Sequence, residues 1–206
     1  MLFPPIIITP SNFDYPNKNK VKSFGDGISQ SESFVKAIDS DCKKAIIFAG
    51  GFCDSFTKVV FNHFYTFEQE DFCKFYSTYD GLEYFLDIFK LLETQGLEIY
   101  IIAHSWGACN SIKTLFKTQT PIKYLLTLDS ISYSSPKPLK CVNFWENVYI
   151  ENHFSFNASN IVALIGHPQG SIKFANLNTA LNPPYAHENV GAMLAASQLS
   201  KKIDLR

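Results

Sequence analysis

The stretch Leu97-Glu98-Ile99-Tyr100-Ile101-Ile102-Ala103-His104-Ser105-Trp106-Gly107-Ala108 changes character abruptly. An apolar, β-branched run, Ile99 to Ile102, gives way to small and polar residues. After Gly107, the positions Ala108, Ile112, Leu115 and Phe116 follow helical spacing, so a strand, a sharp turn and a helix are expected. Ser105 sits at the apex, framed as Ala-His-Ser-Trp-Gly, close to the Gly-x-Ser-x-Gly pattern of a nucleophile on a strained strand-to-helix turn. The steric demand is that residues two before and two after the serine be small. Ala103 and Gly107 meet it. The helix that follows aims its first N–H groups at the same spot, where they favour a developing negative charge. An ordinary helix-capping serine would use the same residue type, so the rest of the chain has to decide.

Working outward, strand and helix signals alternate. Ala45 to Ala49 is a buried strand, followed by a Gly50-Gly51-Phe52-Cys53 turn and a helix capped at Asp54-Ser55 and running through Val59, Val60, Phe64 and Phe67. Cys73 to Tyr76 is the next strand. A helix opens at Asp80-Gly81, sets Leu82, Phe85, Leu86, Phe89 and Leu92 on one face, and is closed by Gly96. The Ser105 helix extends to about Thr118. Ile122 to Leu128 is a strand ending at Asp129, Val142 to Ile150 a further strand candidate that Asn143, Glu146 and Asn147 mark as more irregular or edge-like, and Ile161 to Ile165 another. His187 to Leu199 reads as the last helix. Residues 1–40 are less legible, with a short strand from Ile6 to Thr9 and a short helix from Ser31 to Ile38 as candidates. Continuously apolar strands alternating with helices define a mostly parallel sheet covered on both faces. The expected architecture is one compact α/β domain spanning 1–206, with no room for a large lid.

The 206 residues suffice for one sizeable core. The formal net charge of -1 gives no footprint for nucleic acid, and Lys18, Lys20 and Lys22 read as a solvated loop. Cys42, Cys53, Cys73, Cys109 and Cys141 form no C-x-x-C pair and no metal-ligand spacing, and Cys73 and Cys141 read as buried thiols. Neither a metal nor a cofactor is expected. No apolar run approaches the ~20 residues of a membrane span, and the Met1 to Ile8 stretch lacks the basic residues of a signal peptide. A reducing, cytoplasmic setting is the expectation.

In a parallel sheet, sites lie beyond the carboxyl ends of the strands. Ser105, Asp129 and the Gly50-Gly51 turn all fall there. Acyl transfer by serine needs a nucleophile, a base, a group that orients the base, and oxyanion donors. Ser105 is the nucleophile candidate. The N–H of Phe52 or Cys53, with that of Trp106, can supply the oxyanion donors. Asp129 is the acid candidate, with Glu151 as its rival one strand later. Among the histidines, His187 is the preferred base, set in Asn182-Pro183-Pro184-Tyr185-Ala186-His187 before the last helix, and His167 is the reserve. His104 is expected to point away from Ser105 and pack. His63 belongs to the helix after the glycine turn and His153 to a loop.

On Ala103 to Gly107, Phe48-Ala49-Gly50-Gly51-Phe52, Thr127-Leu128-Asp129-Ser130 and the late His187, the chain resembles α/β-hydrolases of the serine lipase/esterase kind over roughly residues 44–199. The acid placed at the strand after the elbow is similar to that of pancreatic-type lipases. The resemblance implies hydrolysis of carboxylic esters of a small molecule through an acyl-enzyme. The same residues would also serve a thioesterase or acyltransferase, and a hydrolase-fold binding protein is the non-enzymatic alternative. The lack of a large lid implies an open site. Acyl chain, leaving group and oligomeric state are not encoded legibly.

Overall fold

The computed structural model describes residues 6–8, 22–24, 42–152, 158–203 and 205. The expected helix from Ser31 to Ile38 and the loop histidine His153 lie outside them. The strands are β1 (Ile6–Ile8), β2 (Lys22–Phe24), β3 (Lys44–Ala49), β4 (Phe72–Ser77), β5 (Glu98–His104), β6 (Tyr124–Leu128), β7 (Trp145–Ile150) and β8 (Leu177–Leu181). They form one sheet in the order β2-β1-β4-β3-β5-β6-β7-β8, and every pairing in it is parallel.

Alternation along the strands divides the core. Ala45, Ile47 and Ala49 of β3 join Ile99, Ile101 and Ala103 of β5 on one face, under Phe89 and Leu92 of the helix α3 (Phe85–Thr94) and Ile112 and Leu115 of α4 (Trp106–Thr118). Ile46, Phe48, Ile102, Leu126 and Leu128 point the other way. They meet Phe61 and Phe64 of α2 (Val59–Thr66), which follows the one-turn helix α1 (Asp54–Thr57), and Met193 and Leu194 of α6 (Val190–Ala196). Because both faces are covered, these strands need apolar residues at every position, which is why they are legible as continuous runs.

The register aligns the carboxyl ends. Ala49 pairs with Ala103, Ala103 with Thr127, and Leu128 with Val148. The next residues of β3, β5 and β6 are Gly50, Ser105 and Asp129, so the three candidate segments emerge at one edge of the sheet.

Several expectations need correction. The Ile161 to Ile165 run is helical, part of α5 (Ala158–Ile165). A five-residue apolar run fits either element, and here Ile161, Leu164 and Ile165 are substantially exposed while Ala163 is buried. β8 was not anticipated, because Leu-Asn-Thr-Ala-Leu at a sheet edge is only half-buried throughout and carries no strong pattern. β2 includes Lys22, read above as a solvated loop residue. Finally, the 3-10 turn Gly81–Tyr84 precedes α3 and shifts its phase: Ile88 is buried and Leu86 is exposed. Among the thiols, Cys73 is buried as expected, but Cys141 is only half-buried, and none of the five is in a disulfide.

β7 also differs from its irregular, edge-like expectation. It lies inside the sheet between β6 and β8, and Glu146 and Asn147 are fully buried. Their polar groups are satisfied. Glu146 accepts from the Tyr124 hydroxyl at 2.6 Å and the Gln198 N–H at 2.7 Å. Asn147 donates to the Gly170 carbonyl and to Asn178 Oδ1, both at 2.9 Å, and accepts from the Thr127 hydroxyl. Buried polar groups are tolerated when paired in this way.

Candidate active site

The elbow is built by backbone constraint. Ser105 has φ 58° and ψ -128°, a conformation that costs a non-glycine residue roughly 1–3 kcal/mol and persists only where the surroundings hold it. They do. The Ser105 N–H donates to the Leu128 carbonyl at 3.0 Å, and the Ser105 carbonyl accepts from Ala108 at the start of α4 and from Ile131 in the loop after β6. The turn also leaves no room two residues on. A Cβ at Gly107 would overlap the Gly50 carbonyl oxygen and lie 2.7 Å from that of Ala49. One at Gly51 would sit 2.7 Å from the Ser105 Cβ. Ala103, two residues before the serine, is fully buried.

Ser105, His187 and Asp129 form one hydrogen-bonded chain. His187 Nε2 lies 3.0 Å from Ser105 Oγ, and His187 Nδ1 lies 2.6 Å from Asp129 Oδ2. Asp129 is fully buried, and Ser105 and His187 are almost so. With the carboxylate accepting the Nδ1 proton, Nε2 presents its lone pair to the serine hydroxyl. Asp129 is itself held by the neighbouring strand. Its N–H donates to the Val148 carbonyl at 2.7 Å, and its Oδ1 accepts the Ile150 N–H at 3.1 Å. Like Ser105, it has a positive φ, 41°.

The His187 loop is pinned from two sides. Its N–H donates to Asn160 Oδ1 at 2.8 Å, from a fully buried side chain on α5. Its carbonyl accepts the Nε2 proton of His104 at 2.8 Å, and the two imidazoles stack with centroids 4.6 Å apart. The expectation that His104 packs away from the site is therefore corrected: it lies against His187 and lines the same cleft. Burial, reinforced by the neighbouring His187, pushes the His104 imidazole down to about 3, with Asp129 opposing weakly. His104 stays neutral and its Nδ1 is buried without a partner. Asn160 was missed because its segment was read as a strand. The signal was the polar Ser159-Asn160 pair just ahead of an apolar run, which suits a helix start better than a strand.

The cleft beside Ser105, about 220 Å³, is lined by Gly51, Phe52, Val59 and the two histidines among others. Phe52 places its ring outward, 55% exposed and 5.4 Å from Tyr79. Trp106 packs on Tyr133 at 5.2 Å. No backbone or side-chain acceptor among the described residues takes the N–H of Phe52 or Trp106. Both donors are thus available at the edge where the serine stands. Asp54 shapes the turn that carries Phe52: its buried carboxylate accepts the N–H groups of Val60 and Phe61 and the Tyr76 hydroxyl. Its burial outweighs these bonds and raises its pKa from the ordinary aspartate value.

Other candidates stand elsewhere. The Glu151 side chain is exposed, one residue beyond the end of β7. His167 is exposed and packs edge-on against Tyr133 at 5.0 Å. His63 lies on α2, half-buried, beside a different cavity that it shares with Gly191 and Leu205. Among the described residues, no three His, Cys, Asp or Glu side chains are grouped to hold a metal ion, and no helix is long and apolar enough to cross a membrane.

The fold is that of the α/β hydrolases. A crystal structure of a candidate α/β hydrolase of unknown function from Agrobacterium tumefaciens superposes with a TM-score of 0.54 at 12% identity, over 79% of this chain and 86% of that one. A candidate hydrolase of the α/β superfamily from Xanthomonas campestris pv. campestris gives 0.47 at 14% identity, over 78% of this chain and 99% of that one. No protein-family model and no curated protein matches the sequence.

Proposed function

We propose that the protein is a serine hydrolase that cleaves small carboxylic esters through an acyl-enzyme. The observation that carries this reading is the unbroken chain from Ser105 Oγ to His187 to Asp129, at 3.0 Å and 2.6 Å. Ser105 attacks the ester carbonyl as its proton passes to His187 Nε2. The oxyanion is met by the Phe52 and Trp106 N–H groups. The protonated imidazole then gives its proton to the departing alcohol. Water, deprotonated by the same nitrogen, releases the acid. Asp129 keeps the Nδ1 tautomer throughout and stabilises the imidazolium.

The pH dependence tests the base. His187 must be neutral to accept the serine proton, so activity falls as pH falls. His104, held down to about 3, stays neutral and adds no second protonation to the acid limb. The logarithm of kcat/KM for a soluble p-nitrophenyl ester is expected to rise with unit slope on its acid limb. His187→Ala removes activity across the range and His167→Ala leaves it near wild type. A slope of two, or equal losses in both variants, would take the base away from His187.

A further inference from the structure

A second cavity, of about 250 Å³, lies between α4 and the loop that follows β6. It shares no lining residue with the cleft at Ser105. Its wall is basic: Lys113 and Lys117 stand at i, i+4 spacing on α4, Lys137 comes from the loop, and no acidic residue lines it. Among the described residues none of the three ammonium groups has a carboxylate partner. Like charges at i, i+4 weaken a helix, and the third lysine adds to the repulsion. The chain as a whole carries a formal charge of -1, so the basic character is local.

The rest of the wall is apolar or hydroxylated. Ile112 is buried, while the Phe116 ring is 42% exposed, with the Lys137 ammonium 4.6 Å from its centroid. Ser130 also lines the cavity, 98% buried by its 2% exposure, and its hydroxyl has no hydrogen-bond partner. An unpaired buried hydroxyl is unfavourable. Unmatched cations, an apolar floor and an unused polar group together describe a site lacking its ligand's complement. The volume is below the ~300–1,000 Å³ of drug-sized pockets, so the fitting ligand is short.

We propose that this cavity binds a small amphipathic anion, with its oxyanion head group among Lys113, Lys117 and Lys137 and its short apolar tail on Ile112 and Phe116. A carboxylate and a phosphate monoester both offer that chemistry. The attraction is charge-assisted and partly screened, so affinity falls as salt is raised.

The test is titration of the 15N-labelled full chain with hexanoate, hexyl phosphate, hexylammonium and 1-hexanol, followed by amide chemical shifts. At least one of the two anions is expected to give saturable shifts confined to residues 112–117 and 130–137, with Kd below about 1 mM. Whichever anion binds more tightly identifies the head group. Lys113→Gln/Lys117→Gln and Lys137→Gln weaken that binding about tenfold or more, the scale of a lost charge-assisted contact, while the spectrum stays dispersed. Phe116→Ala weakens the hexyl anion that binds but not its one-carbon-tail counterpart, acetate or methyl phosphate, titrated in the same way. Equal binding of 1-hexanol, absence of saturation for both anions, shifts centred on residues 51–53 and 187, or undiminished affinity in the lysine variants would overturn the proposal. No turnover is read, so the result is independent of the proposed hydrolysis.

Discussion

Ser105→Ala is expected to lower kcat for ester hydrolysis on the order of 10⁶-fold and to leave the fold intact. The two parts of this expectation have separate causes. The hydroxyl is the atom that His187 Nε2 reaches at 3.0 Å. Its removal ends covalent chemistry, and the background that survives comes from the backbone donors at Phe52 and Trp106. The fold depends instead on the Ser105 main chain, whose N–H and carbonyl bond to Leu128, Ala108 and Ile131. Alanine keeps those bonds and bears the same positive φ. Circular dichroism and a thermal melt on the variant separate lost chemistry from lost structure. Retention of more than a few per cent of activity would move the nucleophile elsewhere.

Asp129→Asn is expected to cost about 10⁴ in kcat, while Glu151→Gln stays near wild type. The asparagine can still accept the Ile150 N–H through Oδ1. Its amide, however, faces His187 Nδ1 with protons instead of a lone pair. The imidazole answers by moving its own proton to Nε2, where it can no longer accept from Ser105. Charge is lost as well, so an imidazolium formed in the transition state stands unpaired in a buried site. Glu151, exposed at the end of β7, has no comparable place to act from. Steady-state kinetics on both variants decide the point, and a reversed result would assign the acid to the later strand.

The legible and illegible parts of this site differ in how their residues are determined. Ser105 is readable because its turn admits only small neighbours, and Ala103 and Gly107 announce it locally. Asp129 is readable because a continuous apolar strand ends on it at the same sheet edge. His187 follows from its position in a turn-rich loop before a helix. Each signal lies within a few residues of the group that uses it.

The supporting residues carry no such signal. His104 was expected to point away, since neighbours on a strand alternate. The strand, however, ends at that residue, and its ring turns onto the His187 loop. Asn160 reaches His187 from 27 residues away in sequence, and Glu146 ties β7 to Gln198 across 52. These long-range bonds reverse what local polarity implies: Glu146 and Asn147 read as an exposed edge and are buried inside the sheet. The helix 158–165 fails for the opposite reason. Its short apolar run is compatible with either element, and only tertiary packing chooses.

The central claim is that Ser105 is an activated nucleophile, and the most direct measurement is covalent capture. The protein is incubated with a fluorophosphonate, whose phosphorus is attacked by an activated serine with loss of fluoride, and the modified peptide is mapped by mass spectrometry. The account predicts stoichiometric labelling at Ser105, abolished in Ser105→Ala and slowed strongly in His187→Ala. No labelling of the folded wild-type chain, or labelling at another serine with Ser105 untouched, would contradict it.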